Sequence, residues 1–279
     1  MPRAPIAQSR LKLRRRRRYI TLATIILVLI ALLFGGLVAL ARAHFWRIAT
    51  IVISGDSSVP TSTVEAFAQG ELSGDYLFLF PKNNILLYPR QKLQENIAQS
   101  YPELASVSVS TNSLSQISIT LTSRQPAALW CGEVPLPALP QGPTSCLILD
   151  ASGVAYAQTN SPDTSSYIAY YGALSTSSTQ LPVQFLTPSG FESLSALIAA
   201  LAQKANAGSV VSVAVDEDND VSVQFSDGFL LLFALRQDTG KVLQYFSLAL
   251  TSAPFQNNSL SSIQYLDLRF GDKLYYKLR

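Results

Sequence analysis

Few residues in this chain belong to types that do covalent or acid–base chemistry at neutral pH, and they are scattered. There is one histidine, His44, and there are two cysteines, Cys131 and Cys146. A serine hydrolase needs a general base beside its nucleophile; His44 directly follows a long apolar run and is isolated from other candidate groups. A zinc site needs about four ligands, more than these residues supply. Asp216-Glu217-Asp218-Asn219-Asp220 has the look of a calcium loop, but Val221 stands where the sixth-position glycine belongs and no glutamate occupies position twelve. It reads as a solvated turn between strands. Paired carboxylates for glycoside chemistry depend on separation in space, and nothing in the sequence favours them. Asn257-Asn258-Ser259 is a formal glycosylation sequon read here as a polar loop, and Tyr156, Tyr167, Tyr170 and Tyr171 read as half-buried strand residues rather than a sugar platform. The sequence therefore reads as non-enzymatic, with no catalytic residue, metal, cofactor or small-molecule substrate expected.

The dominant element is physical rather than chemical. Arg14 to Arg18 form an unbroken run of five arginines, and residues 19–41 then carry no charged side chain. A helix over those positions is roughly 34 Å long, enough to cross the hydrocarbon core of a bilayer. Arginine biases its flank towards the cytoplasm, so residues 1–18 are expected inside and everything after residue 43 outside. His44, Phe45, Trp46 and Arg47 follow as an aromatic and basic collar. Ala39-Leu40-Ala41 and Ala41-Arg42-Ala43 resemble signal-peptidase sites, yet the apolar run exceeds the ~7–15 residues of a signal h-region, which favours a retained single-pass anchor over 19–43. The arginine run, set against the span, is a topology signal rather than a nucleic-acid patch.

The formal charge of +3 hides an asymmetry. Eight of the 21 Lys and Arg lie in residues 1–18, so the rest of the chain has 13 basic against 18 acidic residues, a net of about −5. That excludes a basic nucleic-acid-binding body. About 236 residues follow the span, room for one large or two small domains. An even cysteine pair in an oxidising compartment reads as a disulfide, here Cys131 to Cys146 at the base of a Pro- and Gly-rich loop over 135–143.

The span is followed by a strand over 48–54 closed by Gly55. Ser62-Thr63-Val64-Glu65 has a capping-box pattern that starts a helix carrying Val64, Phe67 and Ala68, ended by Gly70. Residues 75–81 (DYLFLFP) and 85–88 are expected to fold back over that helix. Pro89 opens a second helix with Leu93 and Ile97 on one face, stopped by Pro102. Val107 and Val109, then Ile117, Ile119 and Leu121, alternate with Ser and Thr on either side of Asn112-Ser113, the pattern of a hairpin with one buried face.

A strand–helix–helix–strand–strand unit directly after one span resembles a POTRA domain. Ile51-Val52-Ile53-Ser54-Gly55, Tyr101-Pro102-Glu103-Leu104 and Ser123-Arg124-Gln125-Pro126-Ala127 are similar to segments of the FtsQ/DivIB family of bacterial division proteins, although Ser123 stands where that family usually has Glu. Asp150-Ala151-Ser152-Gly153-Val154 resembles the family's Asp-x-x-Gly hairpin, and Tyr265-Leu266-Asp267-Leu268-Arg269-Phe270 its most characteristic segment. Between them the periodicity predicts an amphipathic helix over 187–206 capped by Gly208, strands over 210–215, 221–225 and 229–233, and a helix over 239–250 with Val242, Leu243, Phe246 and Leu250 on one stripe. Arg124 beside Pro126 reads as the structural end of a strand. The fold class is thus α+β: one N-terminal transmembrane helix, a POTRA-like β-α-α-β-β domain over 45–124, and a mixed β-sheet domain with two packed helices over 125–279.

The last two strands are predicted as a hairpin turning at Gly271-Asp272, with Leu266, Leu268 and Phe270 on one face and Leu274, Tyr276 and Leu278 continuing the alternation. No later segment is there to cover the final strand, and an open edge is a template for another strand. The family resemblance implies that a partner segment adds there, and Arg269, Phe270, Lys273, Tyr275 and Tyr276 are the candidate contacts. It further implies a membrane-anchored scaffold at the division septum, partnered by FtsB-like and FtsL-like single-span coiled-coil proteins. The alternatives are a POTRA-containing export or chaperoning factor, and a membrane-anchored envelope enzyme acting on peptidoglycan.

Overall fold

A computed structural model describes residues 7–133, 143–175, 180–204, 208–256, 260–271 and 273–279. The predicted loop over 135–143, the sequon at 257–259 and Asp272 of the predicted turn thus lie largely or wholly outside the described residues. The fold is α+β, with one N-terminal helix long and apolar enough to cross a membrane and a large mixed sheet. The chain divides into two units, one of residues 1–100 and 106–122, the other of residues 101–105 and 123–279.

In the first unit, helix α1 (Ala7–Ala41) begins upstream of the arginines, and its candidate span Arg15–Ala41 has a mean hydropathy of 2.9. None of that span's most apolar window is buried against protein. A single 3₁₀ turn, His44–Trp46, leads into β1 (Thr50–Asp56). Gly55 lies inside this strand rather than ending it. It holds φ +104°, and a Cβ there would meet the Leu121 carbonyl oxygen at 2.0 Å, so only glycine allows the strands this close. Helix α2 (Thr61–Glu71) starts at Pro60, with no side-chain capping bond. The expected capping box does not form, because the fixed φ of Pro60 sets the helix entry two residues ahead of Ser62. Gly70 does not end the helix either.

Next come β2 (Asp75–Tyr76) and β3 (Phe80–Pro81), a short hairpin, then α3 (Arg90–Ser100), β4 (Leu104–Ser113) and β5 (Gln116–Ser123). The sheet order is β1-β5-β4, with β1 parallel to β5. Ile117, Ile119 and Leu121 are buried, as their alternation requires, with Val107 and Val109. Val64 and Ala68 of α2 and Leu93 and Ile97 of α3 are buried too, and Asn96 ties the helices by donating to Glu71 at 2.7 Å. The ring and hydrogen-bond contacts of the 75–81 segment, expected over α2, run to the neighbourhood of α1. The segment stands against the end of α1: the Phe80 and Phe34 rings lie 6.2 Å apart, and Arg42 donates to the carbonyls of Phe78 and Leu79.

The second unit is built on a ten-stranded sheet ordered β10-β8-β7-β6-β9-β11-β12-β13-β14-β15. Its strands are β6 (Ala128–Trp130), β7 (Cys146–Leu149), β8 (Val154–Thr159), β9 (Ala169–Tyr171), β10 (Val183–Gln184), β11 (Val210–Val215), β12 (Asp220–Phe225), β13 (Leu230–Ala234), β14 (Ile263–Phe270) and β15 (Lys273–Leu278). Helices α4 (Pro188–Lys204) and α5 (Thr239–Thr251) and the short α6 (Ala253–Gln256) complete it. Parallel neighbours need a long crossover, and α4 and α5 supply it between β9 and β11 and between β13 and β14. Leu194, Leu197, Ile198 and Leu201 of α4 and Val242 and Phe246 of α5 share one core with Val213, Val223, Leu231 and Leu266 of the sheet. Asp238 caps α5 by accepting from the Lys241 amide at 2.9 Å.

Two local devices fix the start of this sheet. Cys131 and Cys146 are disulfide-bonded, opposite one another where β6 pairs with β7. Closing a loop of 15 residues is worth about 3 kcal/mol in the chain-entropy model. Asp150 then folds the β7–β8 turn, its Oδ1 accepting from the Ser152 and Val154 amides and the Ser152 hydroxyl. Its Oδ2 is paired with Arg124, whose Nε donates to the Pro102 carbonyl and whose amide donates to Glu103. Arg124 is thus held within the unit. Burial pushes the Asp150 carboxyl up, but the bonds from Ser152, Val154 and Arg124 outweigh it and hold the group below the usual carboxylate range.

Candidate functional site

β15 is the last strand of the large sheet, and among the described residues no strand pairs with its outer edge. All six of its residues are exposed, four of them apolar or aromatic: Leu274, Tyr275, Tyr276 and Leu278. Sheet edges are normally blunted by charge, bulges or proline. Lys273 and Lys277 supply charge here, but they alternate with aliphatic and aromatic surface. β4, an edge of the smaller sheet, presents mostly Ser and Thr where it is exposed.

The backbone direction of β15 follows from one bond. The Arg279 amide donates to Ser262 at 2.9 Å, so Arg279 faces β14. In an antiparallel ladder alternate residues face the same neighbour. Lys277, Tyr275 and Lys273 therefore turn their backbone groups to β14, and Leu278, Tyr276 and Leu274 turn theirs to the open edge. Among the described residues no strand pairs with these three outward-facing residues.

The side chains sort onto two faces. Tyr276 is opposite Leu266 and lies 5.6 Å, ring to ring, from Phe255 of α6. Tyr275 is opposite Asp267, and its ring stands edge-on to Phe270 at 5.2 Å. The expected grouping of Phe270 with Leu266 and Leu268 does not hold. The register shifts between Asp267 and Phe270, placing an extra residue on β14, and this bulge carries Phe270 away from its buried neighbours to 57% exposure, beside Tyr275.

Arg269 is less free than the sequence implied. Its Nη2 and Nε bind Asp267 Oδ2 and Oδ1 at 2.6 and 2.9 Å, and its Nη1 binds Asp220 Oδ2 at 2.6 Å, spanning β13. Its guanidinium carbon lies 5.7 Å from the centre of the Phe270 ring, within cation–π range. Burial pushes the buried Asp267 carboxyl up, yet the Arg269 bonds prevail and hold it below its ordinary range; Asp267 and Asp220 together push Arg269 higher still. Arg269 thus orients Phe270, while Phe270, Tyr275 and Tyr276, with Lys273 at the turn, form the presented surface.

The sequence reading missed Asp220 as the second partner of Arg269, and Leu274 and Leu278 as surface residues. Asp267-x-Arg269 placed two residues apart on a strand was a readable sign of one shared face; the Asp220 contact needed the tertiary fold. Next to this network a groove of about 490 Å³ is lined by Asp216, Asp218, Asp220 and Arg269 among others. Asp216 spends its Oδ1 on the Asp218 and Asp220 amides, closing the turn expected there. Among the described residues no group of three or more His, Cys, Asp or Glu is placed to hold a metal ion. The chain matches no protein-family model and no curated protein sequence.

Proposed function

We propose that this chain is a non-enzymatic, membrane-anchored scaffold of the FtsQ/DivIB type, which recruits a division partner by adding the partner's strand to β15. The observation that carries the reading is the open, apolar edge of the ten-stranded sheet, with the backbone groups of Leu274, Tyr276 and Leu278 turned outward. Backbone bonds to such an edge give affinity, and the alternating side chains give choice of partner. The order β1, α2, α3, β4, β5 after the N-terminal apolar helix, interrupted by the β2–β3 hairpin between α2 and α3, supports a POTRA-like first domain. The sequence segments quoted above, Tyr265 to Phe270 foremost, support the family.

In this reading α1 spans the cell membrane once. The arginine run holds the N-terminal tail in the cytoplasm, and both folded units lie outside. The disulfide supports that side, since such bonds persist in oxidising compartments. The partners are FtsB-like and FtsL-like single-span coiled-coil proteins at the septum.

Co-purification of the full chain from membranes tests the assignment. Recovery of small single-span coiled-coil proteins, lost when β15 is deleted, is the expected result. Recovery of translocase or barrel components instead would refute the division role in favour of export. A reporter active only outside the cytoplasm, fused after Arg279, is expected to be active; activity confined to a cytoplasmic reporter would refute the topology.

A further inference from the structure

The Tyr76–Leu79 turn between β2 and β3 is built against ordinary rules. The Leu79 amide donates to the Tyr76 carbonyl at 3.0 Å, and the central residues Leu77 and Phe78 have φ of +50° and +62°. Two consecutive left-handed residues define a type I′ turn, whose usual occupants are Asn and Gly. Leu and Phe resist that conformation because their Cβ crowds the backbone. They are also 83% and 88% exposed, the most exposed large apolar residues among those described. A strained turn that presents two large apolar side chains to water is unfavourable twice over. Such strain persists where it serves a site.

The location of the turn indicates what covers it. Phe80, two residues past the tip, meets Phe34 of α1, and Phe34 lies seven residues before the helix end at Ala41. At 1.5 Å per residue Phe34 is about 10 Å below that end. Asn84 donates to the Ala41 carbonyl at 2.8 Å, which holds the segment after the hairpin to the helix terminus. The backbone of the turn is also provided for: Tyr76 is bound by Leu79, while Phe78 and Leu79 carbonyls both accept from Arg42, whose charge is matched by Asp75 at 3.1 Å. Water would satisfy those carbonyls unaided, whereas a hydrocarbon boundary demands internal partners. Phe45 and Leu86, exposed on neighbouring segments, extend the apolar surface.

We propose that the Tyr76–Leu79 turn is a second membrane contact, with Leu77 and Phe78 inserted among the acyl chains of the leaflet from which α1 emerges and Arg42 and Asp75 at the headgroup level. The proposal rests on α1 lying in the bilayer. Amphipathic elements reach about 5–10 Å into that boundary, matching the depth set by Phe34. Two points of attachment fix the height and tilt of the first unit, where a helix alone would leave it free to swing.

The test uses the full chain, disulfide intact, with one added cysteine carrying an environment-sensitive fluorophore at residue 78, 30 or 56 (Phe78→Cys, Ile30→Cys, Asp56→Cys), in phosphatidylcholine vesicles whose acyl chains bear a nitroxide at carbon 5 for residues 78 and 56 and at carbon 12 for residue 30, which lies near the midplane. Ile30 reports the span, and Asp56, at the far end of β1, reports water. The label at 78 is expected to be quenched at least about threefold more than that at 56, consistent with shallow insertion. Quenching at 30 with none at 78 overturns the proposal and leaves the span standing; no quenching at 30 overturns the span and the proposal with it. A label at Leu77→Cys in a Phe78→Asp background, expected to lose its quenching, separates insertion from mere proximity; unchanged quenching there also overturns the proposal.

Discussion

Arg269→Ala tests whether the Asp220–Arg269–Asp267 network is the frame of the β15 edge. The substitution removes three charge-assisted bonds of 2.6, 2.9 and 2.6 Å and leaves Asp267, with a side chain only 7% exposed, with the residue 269 amide as its remaining donor in that network. Stripping one partner from a fully buried pair costs about 3–5 kcal/mol. Arg269 and Asp220 retain 32% and 27% exposure, so solvent recovers part of this, and a loss of about 2–3 kcal/mol is expected. Urea unfolding of the detergent-solubilised chain, followed through Trp130 in a Trp46→Phe background, measures it. Adding Asp267→Asn should return the deficit to about 1 kcal/mol, because a neutral amide tolerates the site.

The pH dependence of that loss has a definite sign. In the native protein Asp267 is held below its unfolded value of 3.8, so its contribution is present above pH 4 and lost as pH falls further. Without Arg269 burial dominates and raises the folded value, so the penalty is present at neutral pH and fades towards pH 4. The gap between native protein and variant should therefore narrow on acidification. A gap below about 0.5 kcal/mol at pH 7, as for an exposed pair, or one unchanged at pH 4, would refute the reasoning.

Cys131→Ser with Cys146→Ser should lower stability by about 3 kcal/mol, and mass spectrometry of the unreduced native chain should find the pair two hydrogens lighter than the dithiol; free thiols would refute the pairing. Gly153 has φ +78°, and a Cβ there would lie 2.7 Å from the Phe191 ring, so Gly153→Ala is expected to cost more than about 1 kcal/mol in the same unfolding assay. Asp150→Asn should weaken the second unit at pH 7, and the native advantage should disappear as pH falls below the unfolded value of 3.8, since the folded carboxyl lies lower still.

Periodicity carried much of the fold. The uncharged run of α1, the alternating Ile117-Ile119-Leu121, and the stripes on α4 and α5 are local patterns, and each element formed within a few residues of its expected place except at the start of α1, which reaches back through the arginines to Ala7. What stayed hidden depends on partners distant in sequence or on backbone shape. β6, β9 and β10 have two or three residues each, too few for a period, and the parallel pairing of β9 with β11 is a tertiary fact. Asp220 and Arg269 are 49 positions apart. The bulge that turns Phe270 outward leaves no residue signature in β14. The Leu77-Phe78 turn lacks the Gly or Asn that marks a turn, so the sequence read it as a folded-back apolar segment. Register also alters the choice of edge substitution: a proline at Tyr275 would break the ladder to β14, whereas at Tyr276 it removes a donor that faces outward.

The most direct test of strand addition is the affinity of the full chain, in detergent, for the soluble segment of the single-span coiled-coil partner proposed above, compared between Tyr276→Pro and Tyr276→Ala. Both variants lose the ring that packs on Phe255, and only the proline loses the outward backbone donor. One such bond is worth about 0.5–1.5 kcal/mol, so the proline variant should bind roughly 2- to 12-fold more weakly than the alanine variant, with unfolding curves that coincide. Equal affinity of the two folded variants would contradict docking on β15.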